Sequence, residues 1–289
     1  MMTPTPRTPA PRAPAPPPMP APSAVVTVPK RSFIAVPWTG NNEGEKIILY
    51  GPSGMGKTTL AATAPDPVFI GCDDGGRKVR NPKTGKPVMH VPGVESFLDV
   101  RAALQSDVFD NCKTVVIDTG TELQHWALPY MFQTIPHEKG QRVTSIEGYG
   151  FGKGYRHLFD VMHLIQSDLD RLVRMGKNII ILCQSAAMNE TNTGGENYLK
   201  DGPDLHHSDK CSVRNNFIAW ADHVFRINWE NASVDNKKIT PVSGRMIQTY
   251  PDATFHAKSR GTTFADAPVV AFERPDDDSL WRYLFPEGV

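Results

Sequence analysis

Apolar residues along this chain fall into short unbroken runs, and between the runs they recur at every third or fourth position. Lys46-Ile47-Ile48-Leu49-Tyr50, Pro67-Val68-Phe69-Ile70, Thr114-Val115-Val116-Ile117-Asp118 and Asn178-Ile179-Ile180-Ile181-Leu182-Cys183-Gln184 are brief and almost wholly apolar in the middle. That pattern predicts strands buried on both faces, as in a parallel sheet. Ser96 to Val108, Glu122 to Gln133 and the series Leu158, Met162, Ile165, Leu169 and Leu172, which stops at Gly176, carry helical spacing. Strands alternating with helices predict an α/β fold, a parallel sheet flanked by helices. From Val224 onward the pattern shifts to short strands with tight turns, Val224 to Trp229, Arg245 to Tyr250 and Thr254 to Lys258. These predict an antiparallel hairpin extension of the same sheet.

The ends follow a different composition. From Thr3 to Pro29 proline alternates with Ala, Thr and Arg, leaving too little apolar surface to offset the entropy of ordering. Residues 1–30 therefore read as a disordered or polyproline-like tail suited to recruiting a protein partner, residues 31–265 as the folded core, and residues 266–289 as a C-terminal tail. The prolines break up any secretory signal, and no apolar run approaches the length of a membrane helix. A soluble cytoplasmic protein with no membrane partner is expected. Cys72, Cys112, Cys183 and Cys211 form no Cys-x-x-Cys pair and read as reduced thiols. The alternative, a zinc site of Cys211 with His206 and His207, has a spacing unlike the common ligand patterns. The 31 basic residues balance the 31 acidic ones, so any nucleic-acid surface must be local.

Chemistry enters right after the first apolar run. Gly51-Pro52-Ser53-Gly54-Met55-Gly56-Lys57-Thr58-Thr59 is a Walker A phosphate loop with a strand before it and a helix after it. A triphosphate is a dense cluster of negative charge, and glycines let backbone N–H groups converge on it. Lys57 supplies a point charge, and Thr58 offers a hydroxyl to Mg2+. ATP with Mg2+ is the expected ligand, since no Asn-Lys-x-Asp guanine-reading motif appears in the later strands. Asp118, closing the third apolar run, has the character of a Walker B carboxylate that reaches Mg2+ through water.

The strand after Walker A ends at Gly71-Cys72-Asp73-Asp74, which resembles the segment where RecA-like ATPases place the carboxylate that polarises the attacking water. Asp73 is the first choice for that role and Asp74 the second; a charged turn capping a strand is the alternative, and Glu122 is a weaker candidate. Gln184 stands where RecA-like proteins carry a γ-phosphate sensor; it could equally satisfy a buried backbone group. Phe255-His256-Ala257-Lys258-Ser259-Arg260-Gly261 resembles the Lys-x-Arg segment of RadA and DnaB-type hexamers. By that resemblance Lys258 and Arg260 reach into a neighbour's ATP site, which implies a homo-oligomeric ring or filament. A plain hairpin tip is the other possibility.

Taken together, Gly51 to Arg260 resembles the phage-encoded RecA-like P-loop NTPases, AAA-type nucleotide-binding proteins that include single-strand annealing recombinases. The resemblance implies a DNA-stimulated ATP hydrolase of recombination or replication, in the host cytoplasm and with single-stranded DNA as partner. A DnaB-like helicase motor and a nucleotide-dependent assembly switch are the alternatives. Two segments are candidates for DNA contact. Tyr149, Phe151 and Tyr155, interleaved with Lys153 and Arg156, would give stacking faces beside cations, or else pack inward around a glycine turn. The polar segment Met188 to Arg214, with Lys200, His206, His207 and Lys210, reads as a long functional loop or a solvated one.

Overall fold

The chain divides into two units, Met1–Thr39 and Gly40–Val289. The computed structural model describes residues 34–35, 43–190, 194–208, 210–230, 232–235, 238–241 and 244–286, without the side chains of Asp74, 232–235 and 238–241. The proline-rich tail lies outside the described residues.

In chain order the second unit runs β1 Lys46–Tyr50, α1 Lys57–Ala61, β2 Pro67–Gly71, β3 Met89–His90, α2 Phe97–Gln105, β4 Thr114–Asp118, α3 Gly120–Thr134, α4 Lys153–Arg174 and β5 Asn178–Cys183. There follow β6 Ser185–Glu190, β7 Tyr198–Pro203, α5 Val213–Trp220, β8 His223–Trp229, β9 Ala232–Asp235, β10 Lys238–Pro241, β11 Arg245–Gln248, β12 Lys258–Ser259, β13 Val269–Ala271 and α6 Ser279–Leu284. The main sheet is ordered β13-β11-β8-β1-β5-β4-β2-β3, with β12 beside the start of β8. β1, β2, β3, β4, β5 and β8 are mutually parallel, and β11, β12 and β13 run antiparallel to their neighbours. The antiparallel extension thus begins one strand later than the pattern predicts, because β8 pairs with β1 in parallel.

Alternate residues of the central strands feed two cores, one on each face. Ile48, Tyr50, Val115, Ile117, Ile179 and Ile181 pack with α2 to α5 on one side. Ile47, Leu49, Val116, Ile180 and Leu182 pack with α1, Phe264, Phe272 and Trp281 on the other. That burial explains why these strands read as continuous apolar runs.

Two segments differ from their pattern. The stretch after Gln184 is an antiparallel hairpin of β6 and β7, from Ser185 opposite Pro203 to Glu190 opposite Tyr198, followed by α5, rather than a structureless loop. Its alternation is masked by small and polar residues because the ribbon stands outside the main sheet. The stretch from residue 266, which composition marks as a tail, contributes β13 to the sheet edge and buries Trp281 completely. A single large aromatic in a short helix anchors that segment without leaving a periodic signal.

Candidate nucleotide site

The carboxyl ends of β1, β2, β4 and β5 open on one edge of the sheet, and β5 lies between β1 and β4. This order sets Gln184 between the phosphate loop and Asp118. Gly51 turns off the end of β1 so close to β8 that a Cβ there would lie 2.4 Å from the Ile227 carbonyl oxygen. Gly54 and Gly56 adopt φ of 78° and 93°, the left-handed backbone that turns successive amides to one side. Pro52, Ser53 and Gly54 stand exposed at the rim, Met55 is buried, and Thr58 and Thr59 are half-buried in α1.

Lys57 is buried, and its ammonium donates to the carbonyls of Gly51 at 2.8 Å and Pro52 at 2.9 Å and to Gln184 Oε1 at 3.1 Å. Burial lowers its pKa, partly opposed by the Asp118 carboxylate. The Thr58 hydroxyl donates to Asp118 Oδ2 at 2.8 Å. Asp118 is itself nearly buried, and desolvation raises its pKa to about 6, with Asp73 pushing the same way and the Thr58 hydrogen bond pulling back. A hydroxyl and a carboxylate side by side form a hard-oxygen donor pair suited to Mg2+. With the Lys57 ammonium and the two left-handed glycines of the loop, they fit a magnesium-bound triphosphate.

Gln184 is fixed from behind. Its N–H donates to Thr121 Oγ1 at 3.1 Å, Thr121 in turn donates to the Asp204 carbonyl at 3.0 Å, and Asp204 N–H returns to the Gln184 carbonyl at 2.8 Å. The side-chain amide is thereby held toward Lys57 at the root of the β6–β7 hairpin. Thr121 had no signal in the sequence beyond its place near a helix start. Tyr50 is a second residue that pattern reading passes over: its hydroxyl donates to the His256 carbonyl at 2.5 Å and lies 3.3 Å from the Asp201 carbonyl, tying the last residue of β1 to β7.

Asp73 lies at the end of β2 and is exposed, with Oδ1 accepting from Gly75 N–H at 2.8 Å, so that it caps a short 3-10 turn. It is still close enough to shift the proton affinities of Lys57 and Asp118. It also shares with Asp118 the wall of a cavity of about 550 Å3 lined by Phe69, Val91 and Trp126. The Asp74 side chain lies outside the described residues.

Other predicted residues go elsewhere. Lys258 Nζ donates to the carbonyls of Ile218, Ala219 and Ala221 at 2.9, 3.0 and 2.6 Å. Arg260 pairs with Asp222 at 2.6 Å and donates to the Ala219 carbonyl at 2.9 Å. Both cap the end of α5, and the partners of Lys258 and Ser259, Val224 and His223, open β8 at the edge opposite the phosphate loop. Within this chain the Lys-Ser-Arg segment thus contacts the end of α5. The aromatic trio divides. Tyr149 is buried and donates to Ile135 O at 2.8 Å, Tyr155 stacks on His206 at 4.5 Å, and Phe151 is fully exposed. Lys153 pairs with Glu138 and Arg156 with Asp160. His207 Nδ1 meets Ser212 Oγ at 2.9 Å, and among the described residues no cluster of His, Cys, Asp or Glu could hold a metal ion. No described helix is long and apolar enough to cross a membrane.

The AAA_24 family, an AAA domain, matches residues 43–261. The chain belongs to the AAA_24 family. Its match covers the phosphate loop, Asp118 and Gln184 and makes the protein a P-loop ATPase. Among curated proteins none matches the chain in sequence. Of solved structures, the KaiC-like protein PH0186 of Pyrococcus horikoshii OT3 is similar with a TM-score of 0.41 and 14% identity over 81% of this chain and 88% of that one. The flagellar accessory protein FlaH of Methanocaldococcus jannaschii is similar with a TM-score of 0.36 and 9% identity over 80% of this chain and 90% of that one.

Proposed function

We propose that this AAA_24 protein hydrolyses ATP as a homo-oligomer and couples the nucleotide state to single-stranded DNA through the β6–β7 hairpin. The observation that carries this reading is the Lys57–Gln184 hydrogen bond at 3.1 Å, because the residue after Gln184 opens β6. Lys57 has as acceptors two loop carbonyls and this one amide oxygen, so a phosphate competing for the ammonium changes what Gln184 can bond. In the proposed reaction Lys57 neutralises phosphate charge, and Thr58 and Asp118 hold Mg2+, which when bound withdraws charge from the phosphate oxygens. Asp73 leaves the Gly75 amide to orient the attacking water. The exposed Tyr198 and Leu199 on β7, beside Lys200, support a hairpin that meets a partner.

Steady-state ATP hydrolysis at fixed low salt, without nucleic acid, with single-stranded DNA and with duplex DNA, tests the proposal. Stimulation by single strands alone is the expected result, weakening as salt rises. Equal, slow turnover in all three would remove DNA from the reading. It would favour a nucleotide-dependent assembly switch, which the capped position of the Asp73 carboxylate supports.

A further inference from the structure

Arg245 stands on β11 opposite Trp229 of β8, yet its guanidinium leaves the sheet for the phosphate loop. The guanidinium carbon lies 4.3 Å from the centre of the Phe272 ring. Nη1 donates to the Met55 carbonyl at 2.9 Å and Nη2 to the Glu273 carbonyl at 3.2 Å, while Phe272 N–H donates to Arg245's own carbonyl at 2.9 Å. The group fits because residue 56 has no side chain: a Cβ on Gly56 would sit 2.5 Å from Nη1 and 3.1 Å from the Phe272 ring. Glycine at this position therefore serves the arginine as well as the backbone angle.

A trans peptide is planar, with its C=O and N–H on opposite sides. A charged donor holding the Met55 carbonyl outward thus fixes the direction of the Gly56 N–H, which points away from Arg245. At the other end of α1, Trp281 Nε1 donates to the Leu60 carbonyl at 2.9 Å and lies 3.0 Å from Thr63 Oγ1. A helix of five residues is too short to hold itself, and its two ends are fastened by residues from 245 to 281. Phe272 and Trp281 lie beyond the span matched by the family, which ends at residue 261.

We propose that Arg245, seated on Phe272, is a positioning residue of the nucleotide site that orients the phosphate-loop amides and sets a fixed positive charge behind them for a polyphosphate ligand. The inference rests on the triphosphate reading of the loop. Within the nucleotide site Arg245 bonds to Met55 of the loop and to none of the residues assigned to water or magnesium, so it governs affinity for ATP and ADP alike rather than the rate of the chemical step.

Equilibrium titration of the full chain with fluorescent ATP and ADP analogues, alongside kcat, KM and thermal unfolding, tests it. Arg245→Met should raise both dissociation constants and KM by about tenfold or more, the effect of losing a charge-assisted hydrogen bond, with kcat at saturation changed less than about threefold. Arg245→Lys, which keeps a donor for Met55 but cannot stack, should recover part of the loss. Wild-type protein that bound neither nucleotide would sink the triphosphate reading itself. Wild-type binding matched by a folded Arg245→Met protein would overturn the positioning role alone, as would a fall in kcat at unchanged affinity. Should Arg245→Met not fold, Arg245→Gln decides: it keeps a neutral donor, and an affinity unchanged from wild type would overturn the proposal.

Discussion

Two lysines in this protein have the same local chemistry and different acceptors. Lys57 and Lys258 each donate to three oxygens, and burial lowers the pKa of both. Two of the Lys57 acceptors are carbonyls of the glycine turn, Gly51 and Pro52, and the third is a side-chain amide. All three of the Lys258 acceptors are backbone carbonyls at the end of α5, groups that a helix leaves without internal partners. An ammonium on loop carbonyls can exchange them for a phosphate at small cost, whereas one that leaves a helix end strands its carbonyls. The alternatives open to the acceptors separate a ligand-binding lysine from a structural one.

The difference is sharpest under substitution. Lys57→Ala should lower ATP hydrolysis by about 10^3-fold or more, with the unfolding midpoint nearly unchanged; normal turnover would remove the central assignment. Asp73→Asn should cut kcat by about 10^2-fold at unchanged nucleotide affinity if its carboxylate orients water. A loss of stability with intact kcat would instead leave Asp73 as a turn cap.

The pH response of Asp118 gives a smaller effect. Its folded pKa of about 6 lies above the ordinary 3.8, so magnesium must displace a proton as pH falls below 6. The magnesium concentration needed for nucleotide binding should rise about tenfold between pH 7 and pH 5. For stability the sign is opposite. The contribution of a carboxyl raised on folding is fully present below its unfolded value and is lost as pH rises through about 6. Asp118→Asn should therefore flatten the profile of unfolding midpoint against pH in magnesium-free buffer, and a profile that keeps its slope would assign the titration to another group.

Lys258→Ala should cost about 1–3 kcal/mol of stability by stranding the carbonyls of α5, seen as a lower denaturation midpoint, while hydrolysis per folded molecule stays intact. Hydrolysis lost at unchanged stability would restore the expectation of a finger acting on a neighbour. Arg260→Ala, removing a half-exposed ion pair with Asp222, should cost at most about 1 kcal/mol.

What could be read from the chain divides along similar lines. β1, β2, β4 and β5 were legible because a strand buried on both faces must be apolar throughout, and the phosphate loop because its spacing and glycines are fixed by the ligand. Gln184 and Asp118 were legible by position at strand ends. Arg245 was not, since its role comes from a contact with Met55 across 190 positions that no local pattern records. The contacts of the Lys-Ser-Arg segment with the end of α5 were not legible, because the same letters also suit a finger that reaches a neighbour. The hairpin was hidden since β6 and β7 pair with each other and bury little, and α6 since one tryptophan does the work of a stripe.

The hairpin's two legs are unlike. β7 is tied at Asp201, which is held by Arg226 at 2.6 Å, bonded through its backbone to Thr254 and His256, and lies beside the Tyr50 hydroxyl. β6 springs from Gln184, whose side chain rests on Lys57. Its far end is held in turn, since Glu190 accepts from Arg214 Nη2 at 2.5 Å and meets His256 Nε2 at 3.1 Å, so the ribbon is braced on both strands. Gln184 is thus the joint at which a braced ribbon meets the phosphate-loop lysine.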